Sequence, residues 1–311
     1  MPYIALATGI LSLGFSALFV RWANVPGPVM GFYRLGLATL FLTPFALQRW
    51  KRVNAPRPAL LIFPVLGGLM TSLDHAIWNT SIHYTTAANA TLLNNATPIW
   101  VALFAWLVFR ERLRGLFWLG LVLTLSGAVA VLGSDFFYHP AVGMGDLLAI
   151  LSSFFYAGYF LVTQRGREKL DTLSYIWAVG IVASLALLGM SVSLGMPLRG
   201  FPASTYLAFL GAALISQLGG YLSVGYALGH LPASTVSPTM IGQPVVTALL
   251  AFLLLGEKLL LAQWAGGMVV LAGIYLVHRS RMGKAAPATR LLIASGVEEK
   301  TPVRSVETDI P

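Results

Sequence analysis

Apolar residues run along the chain in ten long stretches, at about 3–20, 28–47, 61–82, 87–109, 116–133, 145–163, 173–194, 204–228, 233–255 and 262–278. A helix needs about 20 mostly apolar residues to cross the hydrocarbon core of a bilayer. Short polar or basic connectors separate the stretches. The pattern therefore predicts an all-α integral membrane fold of ten transmembrane helices. The first stretch lacks a preceding basic region, and it outruns the roughly 7–15 apolar residues of a cleavable signal, so it reads as the first transmembrane helix. Residues 279–311 break the pattern. They are polar and of mixed charge, and are predicted to form a disordered cytoplasmic tail.

The pattern also repeats. A gapless shift of 146 pairs Pro98 with Pro244 and Glu111 with Glu257 (244 − 98 = 146; 257 − 111 = 146). The same shift pairs Trp118 with Trp264, Gly120 with Gly266 and Gly127 with Gly273. A gapless match that includes Pro, Glu and Trp predicts a duplication, with one five-helix unit in 1–133 and a second in 145–278.

Composition sharpens this. Of 311 residues, 57% are hydrophobic and 10% charged, against about 25% charged in a soluble domain. The absence of Cys excludes disulfides, thiolate catalysis and Cys-ligated metals. A net charge of +9 would suggest nucleic acid in a soluble protein. Here the charges sit in connectors and tail, so nucleic acid is not expected. Their placement instead predicts orientation. One side holds Arg49, Lys51, Arg52, Arg57, Arg110, Arg112, Arg114, Arg165, Arg167, Lys169, Arg279, Arg281 and Lys284; the other holds only Arg21, Arg199 and Lys258. Thirteen against three puts both termini in the cytoplasm. Five is an odd number, so the second unit enters the membrane upside down relative to the first. Inverted-topology repeats are a mark of secondary transporters, whose site lies near the midplane between repeats.

With this architecture, Pro98, Glu111, Leu113, Gly120 and Gly127, echoed by Pro244, Glu257, Leu259, Gly266 and Gly273, resemble the EamA-type members of the drug/metabolite transporter superfamily. The resemblance covers about 3–278. It implies export of small metabolites or drugs by alternating access, often proton-coupled or by exchange, across a bacterial inner membrane. Members of the group include amino-acid exporters. The asparagines Asn89, Asn94 and Asn95 depart from the small or hydroxyl residues usual there.

Polar residues inside apolar stretches supply candidate chemistry. A charge at a helix centre costs about 2.5–3.5 kcal/mol on insertion scales, so such residues should face the bundle interior. Arg34 and Asp74 lie at matching depth, about 5 Å and about 4 Å from the midplane at 1.5 Å rise per residue. Three readings follow. The two form a static buried pair; Asp74 is a proton carrier released from Arg34 during the cycle; or Arg34 snorkels outward. His75, Trp78 and Asn79 adjoin Asp74 on neighbouring faces. A carboxylate, an imidazole and an indole so placed suit an ammonium group, with cation–π help from Trp78. The 146-residue shift makes Tyr221 the counterpart of His75. Proline removes a backbone hydrogen bond and frees the carbonyl four residues earlier. Pro98 therefore frees that of Asn94, and Pro244 that of Met240. Two breaks at corresponding positions, with Asn94 and Asn95 at one and Gln243 at the other, point to a midplane site. Both prolines alternatively serve packing alone. Trp100, Tyr156, Tyr159 and Trp177 are lesser candidates, each also explicable as packing.

No phosphate-binding loop, zinc motif or nucleophile elbow is present, so neither ATP, a metal, a cofactor nor catalysis is expected. The reading is a secondary active transporter exporting a small organic metabolite, an amino acid or amine. Helices 1–4 and 6–9 surround its cavity, and helices 5 and 10 stay peripheral. A passive facilitator or channel of the same architecture is the nearest rival, and a membrane enzyme a further one. The Gly-bearing fifth and tenth helices permit a homodimer.

Overall fold

The computed structural model describes residues 1–52, 58–85, 87–108, 110–132, 143–255 and 260–282. Glu257, Lys258 and the predicted tail beyond residue 282 lie outside the described residues, as does the predicted end of the fourth stretch at 109. Among the described residues the fold is helical, without strands. Eight helices are long and apolar enough to cross a membrane, and Gly115–Val131 is apolar but shorter.

Each predicted stretch is helical, with informative differences in detail. The first is two helices, α1 (Pro2–Gly14) and α2 (Ser16–Ala23), joined at Phe15. No proline marks this joint, which is why the apolar pattern read as continuous. Asn24 ends α2 in the left-handed region, at φ 46°, a conformation Asn tolerates better than most residues. Helix α3 (Gly27–Arg52) carries Pro44 inside it and runs five residues past the predicted end at 47. A single 3-10 turn, Pro58–Leu61, leads into α4 (Ile62–Ser81).

The fourth stretch is broken as α5 (Ala87–Asn94) and α6 (Thr97–Leu107), and α7 (Gly115–Leu132) follows. Next come α8 (Met144–Arg167) and α9 (Thr172–Ser193). The eighth stretch begins as α10 (Ala203–Gly211), widens into a π-helix over Ala212–Tyr221 and closes as α11 (Leu222–Leu228). The ninth is broken into α12 (Ala233–Met240) and α13 (Gly242–Leu255). Helix α14 spans Leu261–Met282, so the first residues of the predicted tail, Arg279–Met282, continue this helix instead.

Packing pairs the elements reciprocally. Helix α4 lies against α8, and the π segment against α1; α3 meets α9; α7 meets α14. Glycine permits the last of these contacts. A Cβ on Gly120 would lie 2.8 Å from the Gly273 carbonyl oxygen, and one on Gly127 would lie 2.7 Å from that of Gly266. The four repeated glycines therefore face one another across a single helix pair. The core that positions the polar site is aromatic and aliphatic, with Tyr159, Phe160, Tyr175, Tyr221 and Met240 buried together.

Candidate functional site

Arg34 sits on α3 with 2% of its surface exposed. Burying an unpaired charge is expensive unless hydrogen bonds compensate. Here the compensation is neutral. Nε donates to Gln217 Oε1 at 3.0 Å, and Nη1 donates to Ser16 Oγ at 2.6 Å. The guanidinium carbon lies 5.6 Å from the Tyr221 ring centroid, within the range of cation–π attraction. Among the described residues no carboxylate is in ion-pair range of Arg34. Of the three readings, the static Arg34–Asp74 pair is therefore not formed, and Arg34 does not reach outward either. The physical reason is local supply: the π segment and the start of α2 offer closer neutral acceptors, Gln217 and Ser16.

Asp74, on α4, is buried as well. Its Oδ2 is 3.4 Å from His75 Nδ1, and its Oδ1 accepts a long hydrogen bond, also 3.4 Å, from Asn94 Nδ2. His75 Nδ1 also lies 3.0 Å from the Thr71 carbonyl. With the proton on Nδ1 donated there, Nε2 of a neutral ring is an acceptor. Among the described residues Nε2 has no partner, nor has the indole Nε1 of Trp78. The His75 and Tyr221 rings, related by the shift of 146, meet with centroids 5.5 Å apart. Asn79 turns away and ties α4 to α3 by donating to the Gly27 carbonyl at 3.1 Å.

The two breaks bring amides to the same place. At the first, the Asn94 carbonyl accepts from Thr97 Oγ1 at 2.7 Å; this is the group that Pro98 leaves free. The Asn94 side chain donates to Ser152 Oγ on α8 at 2.8 Å. Asn95 instead donates to the carbonyl of Thr91, one turn back. At the second break, Gln243 Nε2 donates to the Leu13 carbonyl at 2.9 Å. That carbonyl is in the last turn of α1, where backbone acceptors lack intrahelical partners.

A cavity of about 40 Å³ lies among Arg34, Asp74, His75, Trp78, Asn94, Tyr221 and Gln243, with Leu13, Ser16 and Tyr156 completing its wall. A second, of about 30 Å³, adjoins it and includes Asn95 and Pro98. The structure thus brings seven of the sequence candidates to one space and Asn95 and Pro98 to its neighbour; Pro244 lines neither. At roughly 10–15 Å³ per water, each holds only a few waters. Tyr156 belongs to both cavities. Trp100, Trp177 and Tyr159 serve packing. Trp100 donates to Ser153 Oγ and Trp177 to Thr43 Oγ1, while the Tyr159 ring rests on Tyr221 at 5.6 Å.

Sequence reasoning missed Ser16 and Gln217. Gln217 is the 146-shift counterpart of Thr71 (217 − 71 = 146) and stands one turn before Tyr221. Both signals were available. What the sequence did not carry is the π-helix that turns Gln217 toward Arg34; such segments occur often at functional sites. Among the described residues no three His, Asp or Glu side chains gather as a metal site would require.

Chemically, the cavity offers a guanidinium, a carboxylate, an unpartnered indole N–H and an unpartnered imidazole nitrogen, all screened from bulk water. That set suits a small molecule carrying both charges. Comparison with known proteins agrees with a transporter. A transporter of Archaeoglobus fulgidus, itself uncharacterised, is 29% identical over 255 residues, covering 79% of this chain and 86% of the relative. A WAT1-related protein of Arabidopsis thaliana is 24% identical over 313 residues, covering 88% and 80%. A solved crystal structure superposes with a TM-score of 0.73 at 18% identity, covering 91% of this chain and 99% of that one, and so shares the fold. The bacterial and archaeal relatives are named as transporters, not enzymes. The EamA-like transporter family matches residues 1–133 and again 143–279, so a helical membrane protein with a buried polar cavity takes its place as a member of that family, an integral membrane transporter.

Proposed function

We propose that the chain is a secondary active transporter that exports a small zwitterionic or cationic metabolite, an amino acid or amine, by alternating access. In this reading ten helices form two inverted five-helix repeats in a bacterial inner membrane, with both termini cytoplasmic. The reciprocal contacts support it: α4 with α8 and the π segment with α1, and Gly120 with Gly273 and Gly127 with Gly266. Each of these relates one repeat to the other by the same exchange.

The observation that carries the reading is that Arg34 and Asp74, both buried, face one cavity without pairing. A substrate carboxylate is to meet Arg34, and its ammonium group Asp74, His75 and the face of Trp78. The indole N–H of Trp78 and Nε2 of His75 remain available to the substrate or to a proton in transit. At about 40 Å³ the cavity is contracted, so an amino acid enters only when the repeats part. This favours a carrier over an open channel.

The test is counterflow in proteoliposomes with a panel of amino acids and amines. Trans-stimulation by a preloaded substrate is expected. Flux that neither saturates nor exchanges means a channel instead, and no flux of any amino acid or amine removes the substrate class.

A further inference from the structure

A second site stands apart from the central cavity. Where α6 gives way to α7, the surface holds a groove of about 630 Å³, many times larger than the central cavity. Its walls are apolar and aromatic: Leu103, Trp106, Leu113 and Trp118. Trp106 and Trp118 are 56% and 40% exposed. Its rim carries Arg110 and Arg112, whose side chains make no ion pair with a described residue. One carboxylate borders the groove, that of Glu111, which accepts a hydrogen bond from Ser234 Oγ of α12 at 2.9 Å. The local balance stays positive.

A further observation singles out this place. Arg110 has φ +52°, in the left-handed region that disfavours residues other than glycine. Its 146-shift counterpart is Gly256 (256 − 110 = 146), the residue such a backbone suits. An arginine stands here where the sequence of the duplicate has glycine. Leu249 and Trp264, the 146-shift counterparts of Leu103 and Trp118, line a separate groove of about 110 Å³, while the counterparts of Arg110 and Arg112 lie outside the described residues. The described lining of that groove contains no charged residue.

We propose that the first-repeat groove is a binding site for an anionic phospholipid of the surrounding bilayer. Arg110 and Arg112 hold the phosphodiester; guanidinium forks match phosphate oxygens bidentately. Trp106 and Trp118 lie at headgroup level, where indole rings favour the membrane–water boundary. The first acyl carbons run over Leu103 and Leu113. Basic pockets between membrane helices recognise anionic headgroups in this way. A free phosphate ion has no use for the two indoles and two leucines, which is why the lipid is the occupant. The site depends on neither the transport substrate nor the direction of transport.

Native mass spectrometry of the full chain in detergent, with phosphatidylglycerol or phosphatidylcholine added, tests this. The wild type is expected to retain one phosphatidylglycerol severalfold more often than phosphatidylcholine. The double variant Arg110→Gly with Arg112→Gln is expected to lose that preference. Glycine suits the backbone at 110, so the thermal midpoint should not fall, and a lost preference then reports the guanidinium groups. Trp264→Leu, in the separate groove of about 110 Å³, should leave the preference intact. Equal retention of the two lipids by wild type overturns the site, as does a preference that survives in the double variant. Displacement of the lipid by millimolar inorganic phosphate alone overturns the lipid as the occupant.

Discussion

Arg34 shows how a buried charge is held without a counter-ion. Gln217 and Ser16 take two of its N–H groups and Tyr221 offers a ring face. Hydrogen bonds involving a charged group contribute roughly 1.5–3 kcal/mol each. Lysine keeps the charge but not the planar fork. Arg34→Lys is therefore expected to weaken substrate binding about tenfold or more, which is about 1.4 kcal/mol, read as apparent affinity in counterflow. Asp74→Asn separates coupling from structure. The amide preserves size and can still meet Asn94, while a proton can no longer be carried. Gradient-driven uptake into inverted vesicles is expected to fall to the level seen without a gradient, with counterflow retained at a weaker apparent affinity, since the amide no longer offers a charge to the substrate's ammonium group. Full gradient dependence in that variant removes Asp74 as the coupling group.

At the level of elements, two kinds of device recur. The first is the broken helix, α5/α6 at Asn94 and α12/α13 at Met240, each placed by a proline a few residues on. Pro98→Ala restores a backbone N–H that competes with Thr97 for the Asn94 carbonyl. The expected result is a thermal midpoint unchanged or raised, because Ala is the better helix residue, together with slower transport. Unaltered transport rates mean that the break serves packing only. The second device is the close α7–α14 contact. Gly120→Val places a Cβ 2.8 Å from both the Gly273 oxygen and the Val277 nitrogen, where neither backbone can yield cheaply. Overpacking of this kind costs about 1–3 kcal/mol, so the midpoint in detergent should drop by several degrees. A midpoint equal to wild type means that the helix pair is free to separate.

For the whole molecule, the proposed inverted repeats assign a side of the membrane to every connector. The absence of Cys makes single-cysteine labelling clean. Lys169→Cys and Arg199→Cys, both at exposed positions, should react from opposite sides with a membrane-impermeant maleimide. In intact cells Arg199→Cys is expected to label and Lys169→Cys to be protected. Labelling of both from one side refutes the topology; the reverse pattern refutes only the orientation. The central cavity is about 40 Å³, so the proposed alternating access asks the two halves to part before an amino acid can enter.

The apolar pattern by itself determined the helical stretches, because hydrophobic run length is a local property set by bilayer thickness. The 146-residue shift likewise located both breaks and named His75 and Tyr221 as counterparts before their rings were seen 5.5 Å apart. Prolines act on their own backbone, so Asn94 and Met240 were readable as break points. Only the tertiary structure decided that Arg34 bonds to Gln217 and Ser16 rather than to Asp74, and that Asn95 turns back on its own helix. It alone revealed the joint at Phe15 and the π-helix around Gln217. Those choices depend on how each helix is rotated against its neighbours. Close contacts such as Gly27 against Ala76 and Thr80, and Gly220 against Leu13, set that rotation. Such contacts join residues far apart in the chain, where no periodicity links them.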